Sequence, residues 1–180
     1  MGIDPGLANT GWGIIESAGS SMTCVAYGCV TTSSDAELSA RLGKIHEQVS
    51  AVIRRYSPTA LGIESVWFGK NVTAAFKTGQ ARGAALVACA ERGLDVMEFT
   101  PSEIKMSIVG TGSAEKHQVQ FMVKQMLGLD DVPRPDHSSD ALAAAICCKS
   151  MARIGEMRKG GSVGESIPRT DGALMGARYR

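Results

Sequence analysis

The sequence has few features of a membrane, secreted or zinc-binding protein. No apolar run is long enough to cross a bilayer, and no signal peptide with a basic start and a small-residue cleavage site is found. The 5 cysteines are odd in number and never have the C-x-x-C spacing, although Cys147 and Cys148 are adjacent. That pattern suits neither a disulfide framework nor a zinc site, so it predicts a reduced cytoplasmic protein with buried thiols.

Net charge is also small, because 19 Lys and Arg residues face 18 Asp and Glu residues and leave a balance of +1. Many nucleic-acid-binding domains are strongly basic, since phosphate contacts require cations. Taken alone, the charge therefore argues against a nucleic-acid-binding protein. Net charge is uninformative, however, if several acids bind metal and the basic residues are grouped. The local sequence pattern is therefore needed to judge nucleic-acid binding.

The N-terminal part of the chain has the pattern of a short strand followed by a β-hairpin. Residues 1–4 predict a strand that ends at the turn Pro5-Gly6. Residues 11–17 and 22–31 predict two antiparallel strands joined by the turn Gly19-Ser20.

The rest of the chain alternates between helix and strand patterns. Ser34 and Glu37 have the spacing of a capping box, and apolar residues at helical spacing follow until Pro58. Further helices are predicted at residues 71–92, from 101, at 114–127 and from 137 to about 158, and strands at 60–64 and 94–99. This order predicts an α/β fold of the ribonuclease H type, with a five-stranded mixed sheet flanked by helices on both faces.

Length and composition divide the chain into one domain and a tail. A chain of 180 residues fits one domain with a full-sized core better than two. We expect that domain to span residues 1–158. Gly, Ser, Pro and Arg dominate residues 159–180 without periodicity, which predicts a disordered tail.

Two carboxylates stand where predicted strands end. Asp4 follows Gly2-Ile3, and Glu64 follows the apolar run at residues 60–63. Unpaired charges at the ends of buried strands are costly, and two acids at one edge of a sheet would repel each other. A divalent cation would remove both penalties, so this pair indicates a metal site.

A third acid stands at the start of the last predicted helix. His137 and Asp140 are three residues apart and so face the same side of its first turn, and the Ala-rich run behind them allows close packing on the sheet. Mg²⁺ prefers oxygen ligands, and two such ions can activate a water and stabilise the leaving oxygen of a phosphodiester. The residues therefore favour a magnesium-dependent nuclease.

Each of these residues also has a plainer interpretation. Asp4 could be a turn former, Glu64 an exposed strand end, and Asp140 an acid favoured by the helix dipole. His137 alone would more often be a structural or capping residue than a ligand. Only the combination favours a metal site.

Five segments, in order along the chain, resemble the RuvC family of Holliday-junction resolvases. They are GIDPGL at residues 2–7, FGKN at 68–71, TGQARG at 78–83, VGTGSAEK at 109–116 and DALA at 140–143. The resemblance runs from residue 1 to about 151. Members of the family usually have two or three more apolar residues before the first acid, so the first strand is expected here to be a stub.

The resemblance implies a homodimeric endonuclease with a ribonuclease H-like fold. Such an enzyme cuts two strands symmetrically across a four-way DNA junction in recombination and repair, with Mg²⁺ as cofactor, Mn²⁺ as a substitute and the branch-migration complex of the same pathway as a partner. The family's catalytic, metal-binding acids match Asp4, Glu64 and Asp140. The family has Asp or His three residues before the last acid, which selects His137 as the fourth ligand and leaves Asp136 as the alternative.

The resemblance also implies DNA contacts. Trp67 matches an aromatic residue that stacks on an unpaired base at the junction centre, and Phe68 beside it is as readily a core residue. The residues that follow in the same segment, Lys70 and Asn71, are candidate DNA contacts as well. Lys105 and Lys116 match basic residues that approach the scissile backbone, although two helical lysines could equally be solvated surface.

Small residues on the second long helix suggest how two subunits meet. Gly79 and Gly83 are four residues apart, and Phe76, Leu86 and Ala90 continue that side. The alternative is that this side packs on the protein's own sheet. The resemblance favours a subunit interface, and paired cuts require two active sites related by symmetry.

Two other functions compete with the nuclease. The segment GIDPG also resembles the first phosphate loop of actin-like ATPases and sugar kinases, but those require a second domain and a second phosphate loop. A junction-binding protein without catalysis is the other alternative, and the intact acids argue against it.

Overall fold

The N-terminal strands form as their patterns predict. A computed structural model describes residues 1–65 and 72–160, with side chains described as far as residue 152. The first three strands are β1 (Gly2–Asp4), β2 (Asn9–Ala18) and β3 (Ser21–Thr31). Gly19, with φ of +60°, reverses the chain between β2 and β3, a conformation that glycine adopts without a Cβ clash. The predicted hairpin and the short first strand are both confirmed.

Helices and strands then alternate in the predicted order, with ends shifted by up to two residues for most elements. The remaining elements are α1 (Leu38–Tyr56), β4 (Ala60–Glu64), α2 (Val72–Ala90), β5 (Asp95–Phe99), α3 (Pro101–Val109), α4 (Lys116–Met126) and α5 (Asp136–Gly160). None of the helices in the described part of the chain is both long and apolar enough to span a membrane.

The predicted capping box at the start of α1 is wrong. The helix begins at Leu38, and the side chain of its N-cap residue Glu37 makes no capping hydrogen bond. The serines are used in a turn before it, where Ser33 Oγ accepts from the backbone N–H of Asp35 (3.2 Å). Such local hydrogen bonds compete with capping of a later helix. A capping box does form at α3, between Thr100 and Glu103.

The sheet is mixed, as predicted, with the order β3-β2-β1-β4-β5. β1 pairs antiparallel with β2 and parallel with β4, and β4 pairs parallel with β5. β1 is only three residues long, but it is the central strand and Ile3 is fully buried. Because β1 and β4 are parallel, their carboxyl ends lie at the same edge of the sheet.

One face of the sheet is covered by α1 and α2 through large apolar side chains. Ile3, Leu61 and Ile63 project to this face and are fully buried with Ile45 and Val49 of α1. Burial of such side chains contributes about 1.5–3 kcal/mol each to folding.

The opposite face lies directly against α5, because glycines line it. A Cβ on Gly2 would overlap the carbonyl oxygen of Ala141, and one on Gly62 would overlap that of Ala144. A Cβ on Gly11 would likewise overlap the carbonyl oxygen of His137. The Ala-rich part of α5 was expected to pack closely, and the strand glycines supply the other half of that contact. This contact places the first turn of α5 beside the ends of β1 and β4.

Candidate metal centre

Three of the four predicted ligands lie close enough together to form a group that could hold one metal ion. One ligand atom each from Asp4, His137 and Asp140 lies within 4.8 Å of the other two, and all three residues are half-buried. Asp4 comes from the end of β1, and the other two come from the first turn of α5. Carboxylate oxygens with an imidazole nitrogen suit a divalent cation.

Asp4 and His137 are in direct contact. Nδ1 of His137 donates to Oδ2 of Asp4 at 2.7 Å, because an ionised carboxylate can only accept. This hydrogen bond raises the pKa of His137 above its usual value, against the opposing effect of partial burial. The bond holds the ring beside Asp4.

Asp140 is paired with a lysine from the neighbouring helix. Nζ of Lys116, the first residue of α4, donates to Oδ2 of Asp140 at 3.0 Å. Burial and the charge of Asp4 nevertheless raise the pKa of Asp140 above its usual range, and the lysine only offsets part of that effect.

Glu64 lies at the end of the adjacent strand and faces the same cleft. Burial, followed by the negative charges of Asp4 and Asp140, raises the pKa of Glu64 to about 7. The charges of Asp4 and Asp140 oppose the ionisation of Glu64, and a cation bound nearby would relieve this repulsion. Among the described residues, the group within 4.8 Å does not include Glu64, which instead lines the cleft beside it.

The cleft is large enough for part of a substrate. Its volume is about 280 Å³, and its lining combines two acids and two lysines with apolar side chains: Glu64, Pro101, Ile104, Lys105, Lys116, Val119, Asp140 and Ala143. Both lysines that were expected to approach DNA therefore lie beside the acids. The other expected DNA contacts, Trp67, Phe68, Lys70 and Asn71, lie outside the described residues.

Asp136, the alternative ligand, is engaged elsewhere. Its Oδ1 accepts from Nη1 of Arg134 at 2.6 Å, and its Oδ2 lies 3.5 Å from Nζ of Lys116. Among the described residues, the group that could hold a metal includes His137 and does not include Asp136. Sequence reasoning missed the contact between residues 116 and 136, because only the packing of α4 on α5 brings them together.

The predicted side of α2 is largely uncovered. Phe76 is 65% exposed, and a Cβ on Gly79 or Gly83 would have none of the described residues within 4 Å. Leu86, seven residues after Gly79, is partly buried because it also packs against the core beneath α1 and α2. Its neighbour Val87 is 53% exposed.

The fold and the acidic cleft are those of a ribonuclease H-like nuclease. The family model for the crossover junction endodeoxyribonuclease RuvC matches residues 1–148. This chain belongs to the RuvC family.

Relatives support that membership over most of the chain. The RuvC of Treponema denticola is 46% identical over 158 residues, covering 88% of this chain and 89% of the relative. That of Heliobacterium modesticaldum is 47% identical over 148 residues, covering 82% and 91%. Among solved structures, Thermus thermophilus RuvC in complex with a Holliday junction substrate is 37% identical with a TM-score of 0.82, covering 86% of this chain and 94% of that one.

Proposed function

We propose that this chain resolves four-way DNA junctions in recombination and repair by metal-dependent hydrolysis of two symmetrically placed phosphodiesters. The observation that carries the proposal is the cluster of Asp4, His137 and Asp140 within 4.8 Å, beside a cleft that Glu64 lines. The similarity to a RuvC that was solved with a Holliday junction supports the choice of substrate.

Asp4, Glu64, His137 and Asp140 are the residues that would hold Mg²⁺, or Mn²⁺ as a substitute. Their oxygen-rich donor set and the mutual repulsion of the acids both fit such a cation. A bound cation of this kind supplies Lewis acidity for phosphodiester hydrolysis.

The protein's own side chains bind and orient the substrate. Lys105 and Lys116 place two ammonium groups in the cleft, where they can pair with phosphate oxygens next to the scissile bond. The Asp4–His137 hydrogen bond holds the imidazole beside Asp4, so that side chain does not have to be ordered when DNA binds.

A homodimer would present two such clefts. We propose that the free side of α2 is the subunit interface, since Val72 and Phe76 are 64% and 65% exposed and the two glycines beside them allow close approach of another helix. Two-fold symmetry then relates the two cleavage sites, as paired cuts require. The branch-migration complex of the same pathway remains the proposed protein partner.

The proposal is tested with a synthetic four-way junction whose strands are labelled one at a time. With Mg²⁺ we expect paired nicks at symmetric positions in two opposing strands, and no comparable cutting of a linear duplex of the same sequence. Junction binding without cutting at neutral to alkaline pH would instead indicate the binding protein without catalysis.

A further inference from the structure

Lys116 stands between two carboxylates at the rim of the cleft. Its Nζ is 3.0 Å from Oδ2 of Asp140 and 3.5 Å from Oδ2 of Asp136. The second oxygen of Asp136 is paired with Nη1 of Arg134 at 2.6 Å. The four side chains form a line of alternating charge that runs from the surface into the cleft.

Metal binding would weaken the contact between Lys116 and Asp140. Under the proposed function, on which this inference rests, Asp140 holds a divalent cation. A cation on Asp140 competes for its oxygens and repels the neighbouring ammonium group. The side chain of Lys116 is 54% exposed, so it could then turn toward solvent.

Asp136 is the carboxylate that remains available to Lys116. It is held from the other side by Arg134 and lies outside the described group that could hold a metal. We propose that Asp136 is a positioning residue, which keeps the Lys116 ammonium group at the rim of the cleft when the metal site is filled. In this role Asp136 acts on the substrate through the lysine and is not a metal ligand.

The expected effect is moderate, because the pair is partly exposed and solvent screens it. We expect Asp136→Asn to slow single-turnover junction cleavage at saturating Mg²⁺ by about fivefold. In a Lys116→Met background the same substitution should have no further effect, because the lysine that it positions is gone. Asp131→Asn, which removes an exposed acid of the loop before α5, is the matched control for loss of charge.

The accessibility of the Lys116 amine can be measured directly, without DNA. The rate at which Lys116 reacts with an amine-directed reagent, followed by mass spectrometry in saturating Mg²⁺, should rise about twofold or more in Asp136→Asn. Labelling of the exposed Lys44 serves as the internal reference. A wild-type protein that cuts no junction, with this labelling difference intact, would contradict the proposed function and still support the pairing.

Calorimetric titration with Mn²⁺ separates positioning from ligation. We expect Asp136→Asn to bind Mn²⁺ as the wild type does. Binding weakened by about tenfold or more would make Asp136 part of the metal site and overturn the proposal. Equal slowing of cleavage by Asp136→Asn with and without Lys116, or unchanged labelling of Lys116, would overturn it as well.

Discussion

On one face of the sheet Ile3, Leu61 and Ile63 fill the space beneath α1 and α2, whereas on the other face Gly2 and Gly62 leave no space beneath α5. The first face stabilises the fold by burying apolar surface, and apolar side chains can adjust to small changes. The second face also buries apolar side chains, among them Leu142 and Ile146, but at Gly2 and Gly62 it leaves no room for a side chain, because a Cβ there would meet a backbone carbonyl oxygen of α5. The helix held in this way carries His137 and Asp140. We infer that the close contact at these glycines sets the position of both side chains.

The largest effect is expected for Asp140, an acid on the helix that packs against the close-packed face of the sheet. Asp140→Asn keeps the size of the side chain but removes a metal-binding charge, so junction cleavage should fall to background. Junction binding without metal should persist or tighten, since one negative charge near the phosphates is lost. Gel-shift and cleavage assays on the same preparation measure both. Cleavage at the wild-type rate would remove Asp140 from the site.

Gly62→Ala tests whether cleavage requires the short distance between α5 and the sheet. The added Cβ would overlap the carbonyl oxygen of Ala144, so α5 must move away from the sheet. We expect cleavage to fall by about 100-fold, as displacements of about 1 Å can cause. Thermal unfolding should show a loss of about 1–3 kcal/mol from overpacking. Cleavage at the wild-type rate in a folded Gly62→Ala protein would show that this distance does not control cleavage.

Ile63→Val is the matched change on the other face, one residue further along the same strand. Ile63 is fully buried against α1 and α2, so loss of a methylene group should reduce the free energy of unfolding by about 0.5–1.5 kcal/mol. The cleavage rate well below the unfolding temperature should be unchanged. A fall in rate as large as that of Gly62→Ala would show that both faces position the site.

The smallest effect is a pH dependence of stability in metal-free protein. The pKa of Glu64 is raised to about 7, so between its usual value and 7 the folded state binds more protons than the unfolded state. The stability from this group is therefore full below about pH 4.5 and is lost as pH rises to 7. Glu64→Gln should be more stable than wild type at pH 8 by about 1 kcal/mol, allowing for solvent screening. Mg²⁺ should abolish the difference, and a pH-independent difference would contradict its electrostatic origin.

Much of the fold and the acids followed from local patterns. Asp4 and Glu64 end apolar runs, so the strand pattern predicts that they lie at strand ends. His137 and Asp140 have helical spacing, so the helix pattern predicts that they lie on one side of a helix. On α2 the helical spacing places Leu86 on the same side as Gly79, but it does not show that Leu86 is also partly buried, which depends on how α2 packs on the core.

Other features depend on how elements meet and have no local signal. The Asp136–Lys116 contact joins residues on α4 and α5, and the two helices are brought together only in the folded chain. The Ala-rich run of α5 predicts close packing on the sheet, but the sequence does not show that the glycines of β1 and β4 are the residues it packs against. The predicted box of Ser34 and Glu37 fails because α1 begins only at Leu38, so Glu37 is the N-cap residue and Ser34 lies three residues before it.

The central claim is that the close-packed face of the sheet holds a divalent metal between Asp4 and the first turn of α5. Anomalous diffraction from crystals grown with Mn²⁺ tests it most directly. We predict a peak with Asp4, His137 and Asp140 among the ligands and Asp136 outside them. A peak at Asp136 instead, or no peak at the ends of β1 and β4 in crystals that contain Mn²⁺, would contradict the account.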